Sequence, residues 1–309
     1  MKRAGLLLFG ALPVIAAGVY LAVPDGPARR AGPADTAAAA SASSSATARS
    51  ARDDAKERAE QEREADDALI ADLPPGLAAP AKKELAQQLV SSAENSTTRW
   101  RTAYGSIEDL GDGDGYTAGI IGFCTGTHDL LALVERYTEA HPGNGLAAYL
   151  PALREVDGSD SHEGLDPGFT AAWKAEAEVP AFRAAQEEER DRVYFEPAVR
   201  LAKLDGLGTL GQFVYYDAMV FHGPDTDAEG FYGLRQRAMA EARTPGQGGA
   251  EQDYLDTFLG VRERAMEAKR PGIDTSRVGT AQRRFLAAGN LELATPLVWE
   301  MYGDTYRVP

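Results

Sequence analysis

From Ala79 to the C-terminus, apolar residues recur every three to four positions and almost nowhere every second. That spacing places them along one side of a helix of 3.6 residues per turn, so helices must supply most of the core. In Pro80–Asn95 the stripe is Leu85, Ala86, Leu89, Val90 and Ala93. The same period predicts helices over Gly126–Tyr137, Pro180–Arg192, Pro197–Phe221, Phe231–Arg243 and Asp253–Lys269. Tyr116–Phe123 is the best candidate for extended chain, and Gly- and Asp-rich connections interrupt at Gly111–Gly115 and Asp157–Gly168. Trp100, Trp173 and Trp299 are expected to anchor the core, with sugar platforms as the alternative. The chain shows no internal repeat.

The periodic region does not begin at the N-terminus. Lys2 and Arg3 precede twenty uncharged residues, Ala4 to Val23, closed by Pro24-Asp25-Gly26. A basic start and an apolar run predict export, with residues 1–23 as a signal peptide or, since twenty apolar residues also span a bilayer, a membrane anchor through residues 4–23. The expected location is therefore extracellular, either free or tethered. Residues 24–77 then read as a linker. Ala37-Ala-Ala-Ala-Ser-Ala-Ser-Ser-Ser45 has nothing to bury, whereas Ser50–Ala71 is charged and helix-favouring, a solvated and partly formed helix. Pro74-Pro75-Gly76 punctuates the boundary, and residues 78–309 are expected to be the catalytic domain.

Charge excludes one class of partner. Residues 1–75 carry nine Lys/Arg and eleven Asp/Glu, which leaves 23 and 36 for the remainder, a net of −13. A surface this acidic repels phosphate backbones and attracts polycations, although surplus carboxylates also simply keep an exported protein soluble. The one cysteine, Cys124, cannot form an intramolecular disulfide and lies in an apolar run, where a buried, inert thiol is expected. The four histidines are scattered and no Cys/His cluster has metal spacing, so no metal or cofactor is expected.

Two segments concentrate acids where chemistry needs them. Ser91-Ser-Ala-Glu-Asn-Ser96 ends the first striped helix on a carboxylate, and Ile107-Glu-Asp-Leu-Gly-Asp-Gly-Asp-Gly-Tyr-Thr117 sets acids among three glycines. An EF-hand loop fails in both registers: from Asp109 the third position is Gly111, and from Asp112 the fifth is Tyr116. Glycoside hydrolysis, in contrast, requires one protonated carboxyl for the leaving oxygen and one carboxylate for water or carbon. A helix-end acid facing an acid on a glycine-rich loop makes such a pair plausible, beside the plainer reading of an acidic surface turn.

Longer strings go further. Leu89-Val-Ser-Ser-Ala-Glu-Asn-Ser96, Ile107-Glu-Asp-Leu-Gly-Asp-Gly113, Gly119-Ile-Ile-Gly-Phe-Cys124, Glu189-Arg-Asp-Arg-Val-Tyr-Phe195, Tyr215-Tyr-Asp-Ala218, His222-Gly-Pro224 and Thr275-Ser-Arg-Val278 run through Lys83–Val308. In these the chain resembles the chitosanases of glycoside hydrolase family 46. The resemblance implies a mainly α, lysozyme-like α+β fold, with two helical lobes and a small β-element around a substrate cleft. It implies an inverting, endo-acting enzyme that cuts β-1,4 bonds of chitosan without a cofactor, as a monomer. Glu94 matches the general acid, Asp112 the general base and Thr117 a hydroxyl that positions water. Asp217, Arg262 and Arg277 match a buried charge network behind the acid, which is equally readable as a salt network bridging the lobes. Asp129 matches a contact to a glucosamine ammonium and Glu108 a weaker substrate contact. Tyr116 and Tyr194 are expected to stack on sugar faces or to pack in the core. The pattern departs at Asp114, often basic in relatives, and at Lys269, where some relatives carry an acid; both leave subsite preference open.

The rival readings are a peptidoglycan muramidase, disfavoured because bacterial walls share the domain's negative sign, and a catalytically silent polysaccharide-binding protein, disfavoured because a binder needs neither Glu94 nor Asp112.

Overall fold

The computed structural model describes residues 56–309. The apolar segment Ala4–Val23 and most of the linker lie outside the described residues. Among those described, no helix is long and apolar enough to cross a membrane. Residues 56–71 are helical and almost wholly exposed, with Lys56 and Glu60 paired one turn apart. Leu73–Pro309 form a separate compact unit. Its packing starts before residue 78: Leu77 is fully buried and its N–H donates to Gln212 Oε1 at 2.8 Å.

Within that unit, helix α1 (Pro80–Glu94) opens on a proline, whose fixed φ and missing N–H suit a first turn. Its stripe of Leu85, Ala86, Leu89 and Val90 is buried, as the periodicity predicts. A three-stranded antiparallel sheet follows in the order β1 (Ile107–Asp109), β2 (Tyr116–Ala118), β3 (Phe123–Cys124). The predicted extended segment Tyr116–Phe123 is thus two strands, broken by the turn Gly119–Gly122. Both glycines have positive φ, which an extended chain of L residues does not adopt. Helices α2 (Asp129–Ala140), α3 (Leu150–Val156), α4 (Phe169–Glu176) and α5 (Pro180–Arg190) complete the first lobe.

The second lobe contains α6 (Glu196–Leu204), α7 (Thr209–His222), α8 (Phe231–Glu241), α9 (Glu251–Lys269) and α10 (Arg283–Ala287), and ends in the hairpin β4 (Leu297–Met301) and β5 (Asp304–Val308). Helix α1 packs with this lobe: Gln87 accepts from the buried Tyr216 hydroxyl, and Ser92 Oγ accepts from Trp299 Nε1. A continuous helical run joins the lobes, since α5 passes into α6 through a widened π-helical turn, Asp191–Phe195. The widening precedes Pro197, which has no N–H to give and whose ring would press on the carbonyl four residues back in a regular helix.

The single helix expected over Pro197–Phe221 is two, separated at Asp205–Gly208. Gly206 turns there with φ +77°, and a Cβ would come within 2.7 Å of the Gly246 amide. Such a close backbone approach is invisible to apolar periodicity. All three tryptophans are core anchors, with 0–4 % of their surface exposed.

Candidate active site

Period two sorts the small sheet into two faces. The registers pair Glu108 with Thr117 and Thr117 with Cys124, so these three side chains form one row across the sheet. Ile107, Asp109, Tyr116, Ala118 and Phe123 point the other way. Tyr116 is buried there, stacked on His162 at 3.9 Å between ring centroids, and its hydroxyl donates to Asp166 Oδ1 at 2.5 Å. Tyr194 is also buried, donating to Asp129 Oδ2 at 2.7 Å. Neither ring offers a free face, so the expected sugar stacking at these two positions gives way to the core-packing alternative.

Glu94 is the last residue of α1. The Asn95 side chain after it donates to the Ile120 carbonyl at 3.2 Å and fastens the helix end to the Gly119–Gly122 turn. In that turn a Cβ on Gly122 would meet Thr117 Cγ2 at 3.1 Å and Glu94 Oε2 at 3.6 Å. Glu94 therefore adjoins the Glu108–Thr117–Cys124 face, with glycine making the close approach possible. The Thr117 hydroxyl lies 3.2 Å from Cys124 Sγ. Burial pushes the Cys124 thiol up to about 12, in keeping with an inert role.

Behind Glu94 stands a buried charge network. Arg277 Nη2 is 2.6 Å from Glu94 Oε1, close for an ion pair but outside hydrogen-bond alignment. Arg277 Nε donates to both oxygens of Asp217 at 3.0 Å, Arg262 Nη1 to Oδ2 at 2.7 Å and Gln282 Nε2 to Oδ2 at 2.6 Å. Arg262 also donates to Gln282 Oε1 and His222 Nε2. A second π-helical turn, Arg277–Gln282, delivers both Arg277 and Gln282.

The electrostatics follow from this geometry. Burial pushes the Glu94 carboxyl above its ordinary range; Arg277 pulls downward without prevailing, and the Asp217 charge adds to the rise. Burial would raise Asp217 too, but Arg277 and Arg262 together outweigh it and hold the carboxyl at about 2. His222 is depressed by burial and by the two arginines, so it accepts as a neutral ring.

Asp112 occupies the loop between β1 and β2, where Gly111, Gly113 and Gly115 all have positive φ. Its Oδ2 lies 3.3 Å from Arg270 Nη2, at the end of α9 in the other lobe. The departure at Asp114 sits in this loop, its N–H directed at Asp112 Oδ1 at 3.4 Å, and Lys269 immediately precedes Arg270. Asp129 opens α2. Its Oδ1 accepts from the Cys124 amide and the Thr127 hydroxyl, both at 2.8 Å, and its Oδ2 from the Tyr194 hydroxyl at 2.7 Å. Burial raises this carboxyl to about 6.

Asn95, Gly122, His222, Arg270 and Gln282 escaped the reading of the sequence as site residues. Gly122 and His222 stand inside strings that carry the family resemblance, yet only their neighbours in space assign them roles. No cluster suited to a metal ion exists among the described residues. Shallow hollows lined by Glu263, Arg264 and Thr275, and by Pro151, Arg154 and Glu163, contain none of these groups.

Residues 88–297 match the family model described as Glycosyl hydrolase family 46. The chain is 58 % identical over 233 residues to a chitosanase of Streptomyces sp. (strain N174), covering 75 % of this chain and 84 % of that protein. It is 53 % identical, with the same coverage of both chains, to a chitosanase of Nocardioides sp. (strain N106). Among solved structures, a chitosanase complex superposes with a TM-score of 0.75 at 51 % identity, covering 76 % of this chain and 100 % of that one. A Gynuella sunshinyii family 46 chitosanase bound to chitotetraose is similar at a TM-score of 0.68 and 32 % identity, covering 74 % and 97 %.

Proposed function

The chain belongs to glycosyl hydrolase family 46, and from that premise we propose that it is an exported, endo-acting chitosanase that inverts the anomeric centre, with Glu94 as general acid and Asp112 as general base. The observation that carries the assignment of the acid is the state of Glu94: a carboxyl raised by burial although a guanidinium stands 2.6 Å away. A general acid has to hold its proton near the working pH, and partial burial against a fixed charge network provides for that.

In the proposed reaction Glu94 gives its proton to the glycosidic oxygen as the C–O bond breaks. A water attacks the anomeric carbon from the opposite face and passes a proton to Asp112. Glu94 ends ionised and Asp112 protonated, so the pair resets through solvent. Thr117, on the sheet face beside Glu94 and two residues past the Asp112 loop, supplies a hydroxyl for that water. Arg277, held by Asp217 and Arg262, fixes where Glu94 can point.

The substrate is a polycation, which suits the domain's net charge of −13. Glu108 lies exposed on the same sheet face as Thr117, and the carboxyl of Asp129, only partly buried, is the proposed partner of a glucosamine ammonium. Inversion needs room for water, with carboxyls roughly 6.5–9.5 Å apart, against about 5–5.5 Å in retaining enzymes.

The test combines two measurements. Reducing ends released from chitosan should fall by about 10²–10⁴-fold in Glu94→Gln and in Asp112→Asn, each confirmed folded by circular dichroism. NMR of the native reaction should show the α-anomer forming first. Near-native turnover in either variant removes that residue from its role, and a first-formed β-anomer excludes inversion.

A further inference from the structure

The C-terminal hairpin carries a feature that its own stability does not explain. Met301 pairs with Asp304, so β4 and β5 are joined by two residues, Tyr302 and Gly303. Both have positive φ, 52° and 89°. A turn of this kind favours Asn-Gly, since asparagine tolerates the left-handed region and a bulky aromatic does so poorly. The strained tyrosine is not held by core packing: it is 44 % exposed, whereas Trp299 of the same hairpin is fully buried.

The hairpin tip is fastened at one place. The Tyr302 N–H donates to Ser276 Oγ at 2.9 Å, and Thr280 Oγ1 donates to the Glu300 carbonyl at 2.7 Å. Ser276 immediately precedes, and Thr280 lies within, the turn that delivers Arg277 to Glu94. Tyr302 is thereby tied to the segment that carries Arg277, while its side chain opens to solvent. Its phenol is sheltered enough for burial to raise it, and it feels the charges of Arg277, Glu94, Asp217 and Asp274.

An exposed aromatic of this kind presents an apolar face to the C–H face of a sugar, and the negative face of its ring attracts an ammonium group. We propose that Tyr302 is a substrate-positioning residue, its ring forming the platform for a glucosamine unit on the acid side of the cleft. The proposal rests on the reading of the chain as a chitosanase. It also accounts for the turn, because Tyr302 is kept for its position at a backbone site that asparagine would fill more comfortably.

Tyr302→Asn and Tyr302→Phe in the full chain separate ring from backbone. Tyr302→Asn should melt at or above the native temperature, through relief at positive φ, yet raise KM for chitosan oligosaccharides by about tenfold with a smaller change in kcat. Tyr302→Phe keeps the ring and should stay within about threefold of the native KM. A merely structural role cannot combine equal or higher stability with weaker binding. Native KM in Tyr302→Asn overturns the proposal, as does a loss in Tyr302→Phe equal to that in Tyr302→Asn, which would assign the effect to the hydroxyl. If the native chain releases no reducing ends from chitosan, the functional reading itself falls and the platform with it.

Discussion

Asp217→Asn preserves side-chain shape and removes one charge from the centre of the buried network. In the native chain Asp217 receives Arg262 at 2.7 Å, Gln282 at 2.6 Å and Arg277 at 3.0 Å. Asparagine offers a single oxygen, and its NH2 would confront a further donor. Two buried guanidinium groups would then share Glu94 as their nearest carboxylate. Removing one partner of a buried pair costs about 3–5 kcal/mol. At about 2–4 °C per kcal/mol for a domain of this size, Tm should fall by roughly 6–20 °C. The deficit depends on pH with a definite sign. The Asp217 carboxyl is depressed from 3.8 to about 2, so its contribution is present above 3.8 and is lost as pH falls through about 2. That shift corresponds to about 2 kcal/mol, and the gap between variant and native protein should narrow in acid. The same substitution should alter catalysis. Asp217 is among the charges that raise Glu94, so without it the acid titrates lower, more so as Arg277 turns fully toward Glu94. As the proposed general acid Glu94 would act protonated, and the alkaline limb of the kcat profile should therefore move to lower pH. Thermal melts together with a pH–rate profile measure both effects. A reduced Tm with the alkaline limb unmoved, or moved upward, would show that the network bridges the lobes without tuning the acid.

Two further substitutions probe the opposite side of the cleft. Asp129 ionises at about 6, so Asp129→Asn should raise KM for chitosan more at pH 7 than at pH 5, while the native carboxyl is charged only at the higher value; an equal effect at both would assign Asp129 to bracing β3 alone. Gly122→Ala forces a Cβ at φ +74° to within 3.1 Å of Thr117, beside Glu94. It should destabilise the chain by roughly 1–3 kcal/mol in chemical denaturation and lower kcat, and an unchanged kcat would show that the Glu94–Thr117 approach is not critical to turnover.

The helical class of this protein was readable from the spacing of its apolar residues, because a helix that must bury one face writes a 3.6-residue period into the chain. The stripe of α1 and the acid at its end were legible for that reason, and the strings around Glu94 and Asp112 pointed to family 46 before any geometry was known. Periodicity could not reveal where backbone approaches backbone. The break at Gly206 and the turn that divides Tyr116–Phe123 follow from contacts with Gly246 and Gln186, which are remote in sequence. Nor could it choose between the two readings of an aromatic: Tyr116 and Tyr194 are buried beneath acids, whereas Tyr302, in an unremarked hairpin, stands open. The family resemblance named the three charged members of the network, Asp217, Arg262 and Arg277, but not Gln282 or His222, and the network's effect on Glu94 depends on burial and on separations of 2.6–3.0 Å. Electrostatic strength scales with distance and local dielectric, and both are properties of the folded arrangement of α1, α7, α9 and the Arg277–Gln282 turn. Residue types and their order identify which acids can act; only the tertiary structure decides which of them keeps its proton.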